Sequence, residues 1–204
     1  MDQDRRQEII RKVMALYLQY GIRSVTMDDV VREAGISKKT LYQYFTDKSS
    51  LVEAVIDCES DLKTKEHDEV TEGASNAIEK MLGFFAFQMR MVREYNPSMI
   101  YDLKKYYPEI HGKFVEKKRS IIYESVLANL NEGKVEGLYR SEMNQETIAV
   151  LNLLRVEALI NSTLYRPDEL LTPEFLTEMF TYHMYGIVND KGRDILEKNL
   201  NKLK

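Results

Sequence analysis

The chain has a single cysteine and no tryptophan, and in 204 residues it carries only nine glycines and four prolines. One thiol, Cys58, cannot close an internal disulfide and excludes a cysteine-rich metal site, which fits a reducing compartment. A small apolar residue in a core is its simplest role, with redox sensing the alternative. So few turn formers argue against a strand-rich fold. Long apolar runs are missing too. The greasiest stretch, 149–160, is broken by Asn152, Arg155 and Glu157 and falls short of the roughly 18 apolar residues that a membrane span requires, so no membrane partner is expected. The opening residues Met1-Asp2-Gln3-Asp4-Arg5-Arg6 lack the apolar core and small-residue cleavage site of a signal peptide, and the expected compartment is the cytoplasm. The three histidines, His67, His111 and His183, stand far apart, and there is no glycine-rich phosphate loop, nucleophile elbow or His-Glu-x-x-His pattern. No metal, no cofactor and no catalytic residue is expected.

What is present is charge and helical periodicity. Charged residues make up 30% and hydrophobic ones 44%, and the length suits one small domain plus a larger one. The net charge of -4 is unevenly spread. Residues 1–50 hold nine Lys or Arg against seven acids, and the remainder is acidic, which permits a basic head on an acidic body. Apolar residues Ile9, Ile10, Val13, Met14, Leu16 and Tyr17 recur at helical spacing between about 4 and 20, where Gly21 supplies a stop. Thr26, with Asp29 three residues on, opens a short helix ending at Gly35. Ser37 caps a third helix holding Leu41 and Phe45, and Asp47 caps a fourth carrying Leu51, Val52, Val55 and Ile56. Longer helices are expected at roughly 74–95, 99–106, 109–131, 145–165 and 172–189. The sequence Thr172-Pro173-Glu174 combines a capping hydroxyl, a first-turn proline and an early acid.

The informative stretch is 26–48, two short helices joined by Gly35-Ile36-Ser37. A turn that tight needs a residue tolerant of positive φ, as in a helix-turn-helix. Leu41 and Phe45 can lock the second helix inward, leaving Lys38, Lys39, Thr40, Gln43 and Tyr44 outward for a DNA major groove. There Lys donates to guanine edges, Gln pairs with adenine, and Thr offers a hydroxyl or methyl to thymine. Tyr42 and Tyr44 can reach phosphates, while Thr26 and Lys48 sit at helix starts that make phosphate seats. Taken singly, Thr26 is a cap, Lys38 and Lys39 a solvated face, and Gly35 a helix stop; together they specify more.

The run from Thr26 to Phe45, TMDDVVREAGISKKTLYQYF, followed by Asp47-Lys48-Ser49-Ser50-Leu51, resembles the DNA-binding domain of the tetracycline-repressor (TetR) family over about residues 8–55. The resemblance implies an all-α fold: a three-helix helix-turn-helix domain at 1–50 and a helical effector-binding and dimerisation domain at 51–204. It implies that Thr26, Tyr42 and Lys48 hold phosphates, with Lys39, Thr40, Gln43 and Tyr44 nearest the bases. Many relatives carry His where Tyr44 stands. The implied partners are a double-stranded DNA operator, a small-molecule effector and a second copy of the chain.

In that family the last two long helices pair with the partner's. Here Ile148, Leu151 and Leu159 in one segment, and Phe175, Met179, Phe180, His183, Met184 and Ile187 in the next, offer apolar surface for a homodimer. A wholly internal helix is the alternative for the first segment. For an effector, the aromatic and Met positions Phe84, Phe87, Met91, Tyr101, Tyr107 and Tyr123, with Gln88, His111, Arg155 and Asn161 as orienting polar groups, suit a hydrophobic or aromatic molecule. The competing class is a helical module that kept the fold and lost DNA binding. Such a relic would have shed Lys38, Lys39, Tyr42 and Lys48, all of which are present.

Overall fold

The structure, a computed structural model, describes residues 2–93, 96–161 and 165–200. Among them the helices are α1 Asp2–Tyr20, α2 Met27–Ala34, α3 Lys38–Tyr44, α4 Lys48–Glu72, α5 Ala77–Arg93, α6 Pro97–Tyr106, α7 Pro108–Val135, α8 Gln145–Asn161, α9 Pro167–Leu170, α10 Pro173–Ile187 and α11 Asp190–Leu200. The only β pairing among the described residues is an isolated antiparallel bridge between Tyr139 and Val188. No described helix is long and apolar enough to cross a membrane. Helix starts follow the expected chemistry: Thr26, Ser37, Asn96 and Thr172 each accept the backbone N–H three residues on, satisfying a donor that the helix itself leaves free.

The chain forms two compact units, Met1–Lys65 with Asn96–Lys117, and Glu66–Tyr95 with Lys118–Lys204. The first therefore differs from the expected 1–50 head. Its core joins Ile9, Ile10, Val13, Tyr17, Leu41, Phe45, Leu51 and Val55 to Met99 and Leu103 of α6 and Ile110 of α7. Each such side chain, fully removed from water, contributes about 2 kcal/mol, so α6 is part of the head because its apolar face completes that core. Ion pairs from Lys113 to Glu53 at 2.6 Å and from Lys117 to Asp61 at 2.7 Å add to the α4–α7 contact within this unit. One polar atom in the core is orphaned: the Tyr17 hydroxyl is buried without a partner, and burial raises its pKa.

The second unit has its own core, with Ile78, Met81, Val126, Leu130, Phe180 and Met184, and with the rings of Phe85 and Phe180 stacked at 4.2 Å. Its carboxyl-terminal part is latched by short side chains. Tyr139 lies so close over Gly133 that a Cβ there would fall 2.2 Å from the ring. The Tyr139 hydroxyl donates to Asn129 Oδ1 at 2.9 Å, and Asn129 Nδ2 donates to the Ala77 carbonyl at 2.8 Å. Asn189 Nδ2 donates to the Gly137 carbonyl, and Asn189 Oδ1 caps α11 by accepting from Gly192 N–H at 3.0 Å. Helix α11 lies past the last expected helix, and the missing side chain of Gly192 in its first turn lets α11 approach the Leu138 carbonyl.

Candidate nucleic-acid interface

Helices α2 and α3 are built from their caps inward. Thr26 Oγ1 accepts from Asp29 N–H at 3.2 Å while Asp29 Oδ2 accepts from Thr26 N–H at 2.9 Å, a reciprocal capping box. Hydrogen bonds from Thr26 hold the Asp29 carboxyl below the usual carboxylate range, and Arg32 adds to this. Gly35 closes α2 in the left-handed region at φ 63°, with its N–H on the Arg32 carbonyl and that of Ile36 on the Val31 carbonyl. Ser37 Oγ then accepts from Thr40 N–H at 3.0 Å, so α3 is capped two residues past the glycine and starts at Lys38. Leu41 and Phe45 are buried and turn α3 into the core; Lys39, Tyr42 and Gln43 remain exposed on the opposite side. That side is the face that a major groove can receive.

Two expected outward residues, Tyr44 and Thr40, are placed differently, and a third, Lys38, is outward but paired. Tyr44 is only partly exposed and packs against the head core, its ring 6.4 Å from that of Phe45, because the last turn of α3 rotates position 44 toward the neighbouring helices. Thr40 is half-buried, its hydroxyl within 2.8 Å of Ser37 Oγ. Lys38 is exposed but forms a 2.9 Å ion pair with Asp28, which raises its pKa. At the start of α4, Asp47 is the cap, accepting from Ser50 N–H at 2.8 Å. Lys48 beside it is half-buried and donates to the Arg23 carbonyl at 3.3 Å. Burial lowers its pKa, opposed by the nearby charges of Asp102 and Asp29.

The expected effector residues divide between the units. Tyr101, Tyr107 and His111 belong to the first, where Tyr107 packs on the head core and Tyr101 is largely exposed beside Lys105. Phe84, Phe87, Gln88, Met91, Tyr123 and Arg155 belong to the second; the side chain of Asn161 lies outside the described residues. The reason for the split is that α6 joins the head core, carrying its neighbours with it.

In the second unit a cavity of about 200 Å³ is lined by His67 and Thr71 of α4, Lys80, Met81 and Phe84 of α5, and Ser125, Val126, Asn129 and Glu132 of α7. Of the expected residues only Phe84 lines it. His67 stands edge-on to Phe84 at 5.0 Å and to Phe87 at 5.9 Å, and Lys80 pairs with Glu132 at 2.6 Å on its wall. The polar liners carried no sequence signal, since a lone histidine and an ion pair 52 positions apart look like ordinary surface. Arg155 lies elsewhere, between α8 and α10, donating to the Met179 carbonyl and to Asn152 Oδ1. Burial lowers its pKa to about 10, and pushes that of His183 down to about 3 with help from the adjacent guanidinium. Arg155 Nε and His183 Nε2 are both buried without partners.

The expected dimer residues also separate. Leu159, Phe180, Met184 and Ile187 are buried in the unit's own core, with Ile148 and Met179 packed against it, so they are not free surface. The outward faces are instead Val150, Leu151 and Leu154 on α8, and Phe175, Tyr182 and Tyr185 on α10, with Leu151 54% and Tyr182 81% exposed. Only Leu151 and Phe175 of the expected set belong there.

Residues 9–55 match the family model described as bacterial regulatory proteins, tetR family. Over 191 residues the chain is 19% identical to the HTH-type transcriptional repressor KstR2 of Mycobacterium tuberculosis, covering 92% of this chain and 94% of that one. It is 26% identical over 190 residues to the uncharacterized HTH-type transcriptional regulator YvaF of Bacillus subtilis, covering 91% and 97%. The fold is similar to that of a transcriptional regulator from Cytophaga hutchinsonii, with a TM-score of 0.76 at 18% identity over 89% of this chain and 97% of that one. A tetR-family regulator from Agrobacterium tumefaciens has a TM-score of 0.66 at 15% identity, covering 93% and 100%. Residues 9–55 thus form a capped helix-turn-helix with an outward face that matches the tetR-family DNA-binding model, on a chain similar along nearly its whole length to HTH-type transcriptional regulators.

Proposed function

We propose that the chain is a transcriptional repressor that binds a palindromic operator as a homodimer and leaves it when a small effector binds. The observation that carries this is the exposed set Lys39, Tyr42 and Gln43 on a helix held rigidly by buried Leu41 and Phe45. Lys39 and Gln43 read base edges; Thr26, Tyr42 and Lys48 hold phosphates, and Lys38 joins them once a phosphate displaces Asp28. Thr40 and Tyr44 contribute mainly by holding α3 in place. The outward apolar faces of α8 and α10 form the homodimer interface, and a two-fold dimer sets two α3 helices about one DNA turn apart, ~34–36 Å or a multiple of it, on a palindrome.

The effector binds in the second unit, in the cavity beside His67 and Phe84. At about 200 Å³ this cavity lies below the ~300–1,000 Å³ typical of drug-sized ligands. It suits a small aromatic or apolar ring with one polar group, which His67 and the Lys80–Glu132 pair would orient. An effector favouring the form that does not bind DNA shifts the population away from the operator.

The test is selection of duplexes from random DNA by the purified protein, followed by titration at several salt concentrations. Recovery of a palindrome bound by a dimer is the expected result. Recovery of no preferred sequence, with weak binding alike to all duplexes, would remove the repressor reading in favour of a helical module that has lost DNA recognition.

A further inference from the structure

We infer that Asp102 of α6 is a positioning residue for DNA binding: its carboxylate fixes the α1–α2 turn, and with it the seat of Lys48. The inference rests on the DNA-binding reading above. Asp102 Oδ2 accepts from the backbone N–H of Arg23 at 2.8 Å. Gly21, at φ 79°, leaves room for this approach; a Cβ there would lie 3.1 Å from the same oxygen, closer than an ordinary contact. Two further contacts from α6 and its cap hold the same segment. Asn96 Nδ2 donates to the Leu18 carbonyl at 2.6 Å while its Oδ1 caps α6 on Met99 N–H. Arg23 Nη1 donates to the Tyr106 hydroxyl at 2.8 Å, with the guanidinium 5.1 Å from the centre of that ring.

Arg23 is thus gripped at both ends of its backbone, by Asp102 at the N–H and by the Lys48 ammonium at the carbonyl. Three residues further along lies Thr26, whose capping box starts α2. A hydrogen bond to a carboxylate is the strong kind, and losing it frees the turn that leads into Thr26 and holds the Lys48 ammonium through the Arg23 carbonyl.

The sign of the effect separates this role from that of a bystander. A carboxylate near a DNA-binding surface repels phosphates, so removing one that merely sits there raises affinity. Removing one that positions the turn lowers it. Asp102→Asn keeps an oxygen for Arg23 N–H and sheds the charge; Asp102→Ala sheds both.

The experiment compares wild type, Asp102→Asn and Asp102→Ala, each confirmed folded by circular dichroism, on the duplex that wild type selects from random DNA, with amide exchange followed at Arg23. Asp102→Ala is expected to bind about ten-fold more weakly and to exchange the Arg23 amide faster, while Asp102→Asn restores slow exchange and binds at least as tightly as wild type. Unchanged or tighter binding by Asp102→Ala overturns the inference, as does an equal loss in Asp102→Asn. If wild type selects no duplex, the DNA-binding reading itself fails and takes this one with it. A duplex bound equally by wild type and Asp102→Ala leaves that reading standing and removes only the role of Asp102.

Discussion

Lys48 and Gln43 are two polar side chains on neighbouring helices of the head, and their surroundings assign them different work. Lys48 is half-buried at the start of α4, held by a carbonyl that carries no base information. Lys48→Ala should weaken binding to every duplex by a similar factor and reduce the salt slope by about 0.9, one phosphate's worth, in a salt titration. Gln43 is exposed on α3, and Gln43→Ala should alter preference at one position per half-site by ~1–3 kcal/mol in a selection experiment. The orphaned Tyr17 hydroxyl points to a gain: Tyr17→Phe removes a buried donor that has no acceptor and should leave stability unchanged or raise it by about 1 kcal/mol in urea melts. His183 gives a pH effect of definite sign. Its folded pKa of about 3 lies below the ordinary 6.5, so below about pH 6.5 the unfolded chain takes a proton that the folded one refuses. Stability then falls with pH between about 6.5 and 3, by up to ~1.4 kcal/mol per unit. Wild type should lose about 2 kcal/mol more than His183→Leu between about pH 7 and pH 5, as read from urea midpoints.

Among the elements, those announced by end chemistry were legible. Thr26, Gly35, Ser37 and Asp47 marked α2, α3 and the start of α4, and Thr172-Pro173-Glu174 marked α10. Those whose identity depends on distant packing were not. Nothing local tells that Met99 and Leu103 belong to the head, since the same apolar spacing would serve either unit; the division of the expected effector residues, with Tyr101, Tyr107 and His111 in the first unit, follows from that. The apolar residues of α8 and α10 were recognisable as buried, but periodicity cannot say whether a helix's own unit or a second copy covers a given face. Helix α11 lies past the last expected helix and carries Gly192 in its first turn. Its glycine is a contact, not a break, so Gly192→Ala, which would place a Cβ 2.2 Å from the Leu138 carbonyl, should destabilise the protein by ~1–3 kcal/mol in urea melts. A backbone oxygen cannot swing aside as a long side chain would.

For the molecule as a whole, the outward apolar faces of α8 and α10 place the proposed homodimer where mutation can reach it without opening the core. Leu151 is 54% exposed, so Leu151→Glu should leave the helical signal intact while burying a charge in any dimer formed through that face, at a cost of several kcal/mol. Sedimentation is expected to find dimer for wild type and monomer for the variant. Operator affinity should fall with it, because one half-site alone forfeits the effective concentration that links the two heads.

Tyr17 and Tyr139, each sealed in the core of a different unit with a pKa raised by burial, also make the protein its own spectroscopic probe. Exposed tyrosines ionise as alkali is added, whereas these two can do so only when their own unit opens. With no tryptophan in the chain, the late rise in tyrosinate absorbance would count those openings directly, and exchanging either ring for phenylalanine would tell which unit yields first.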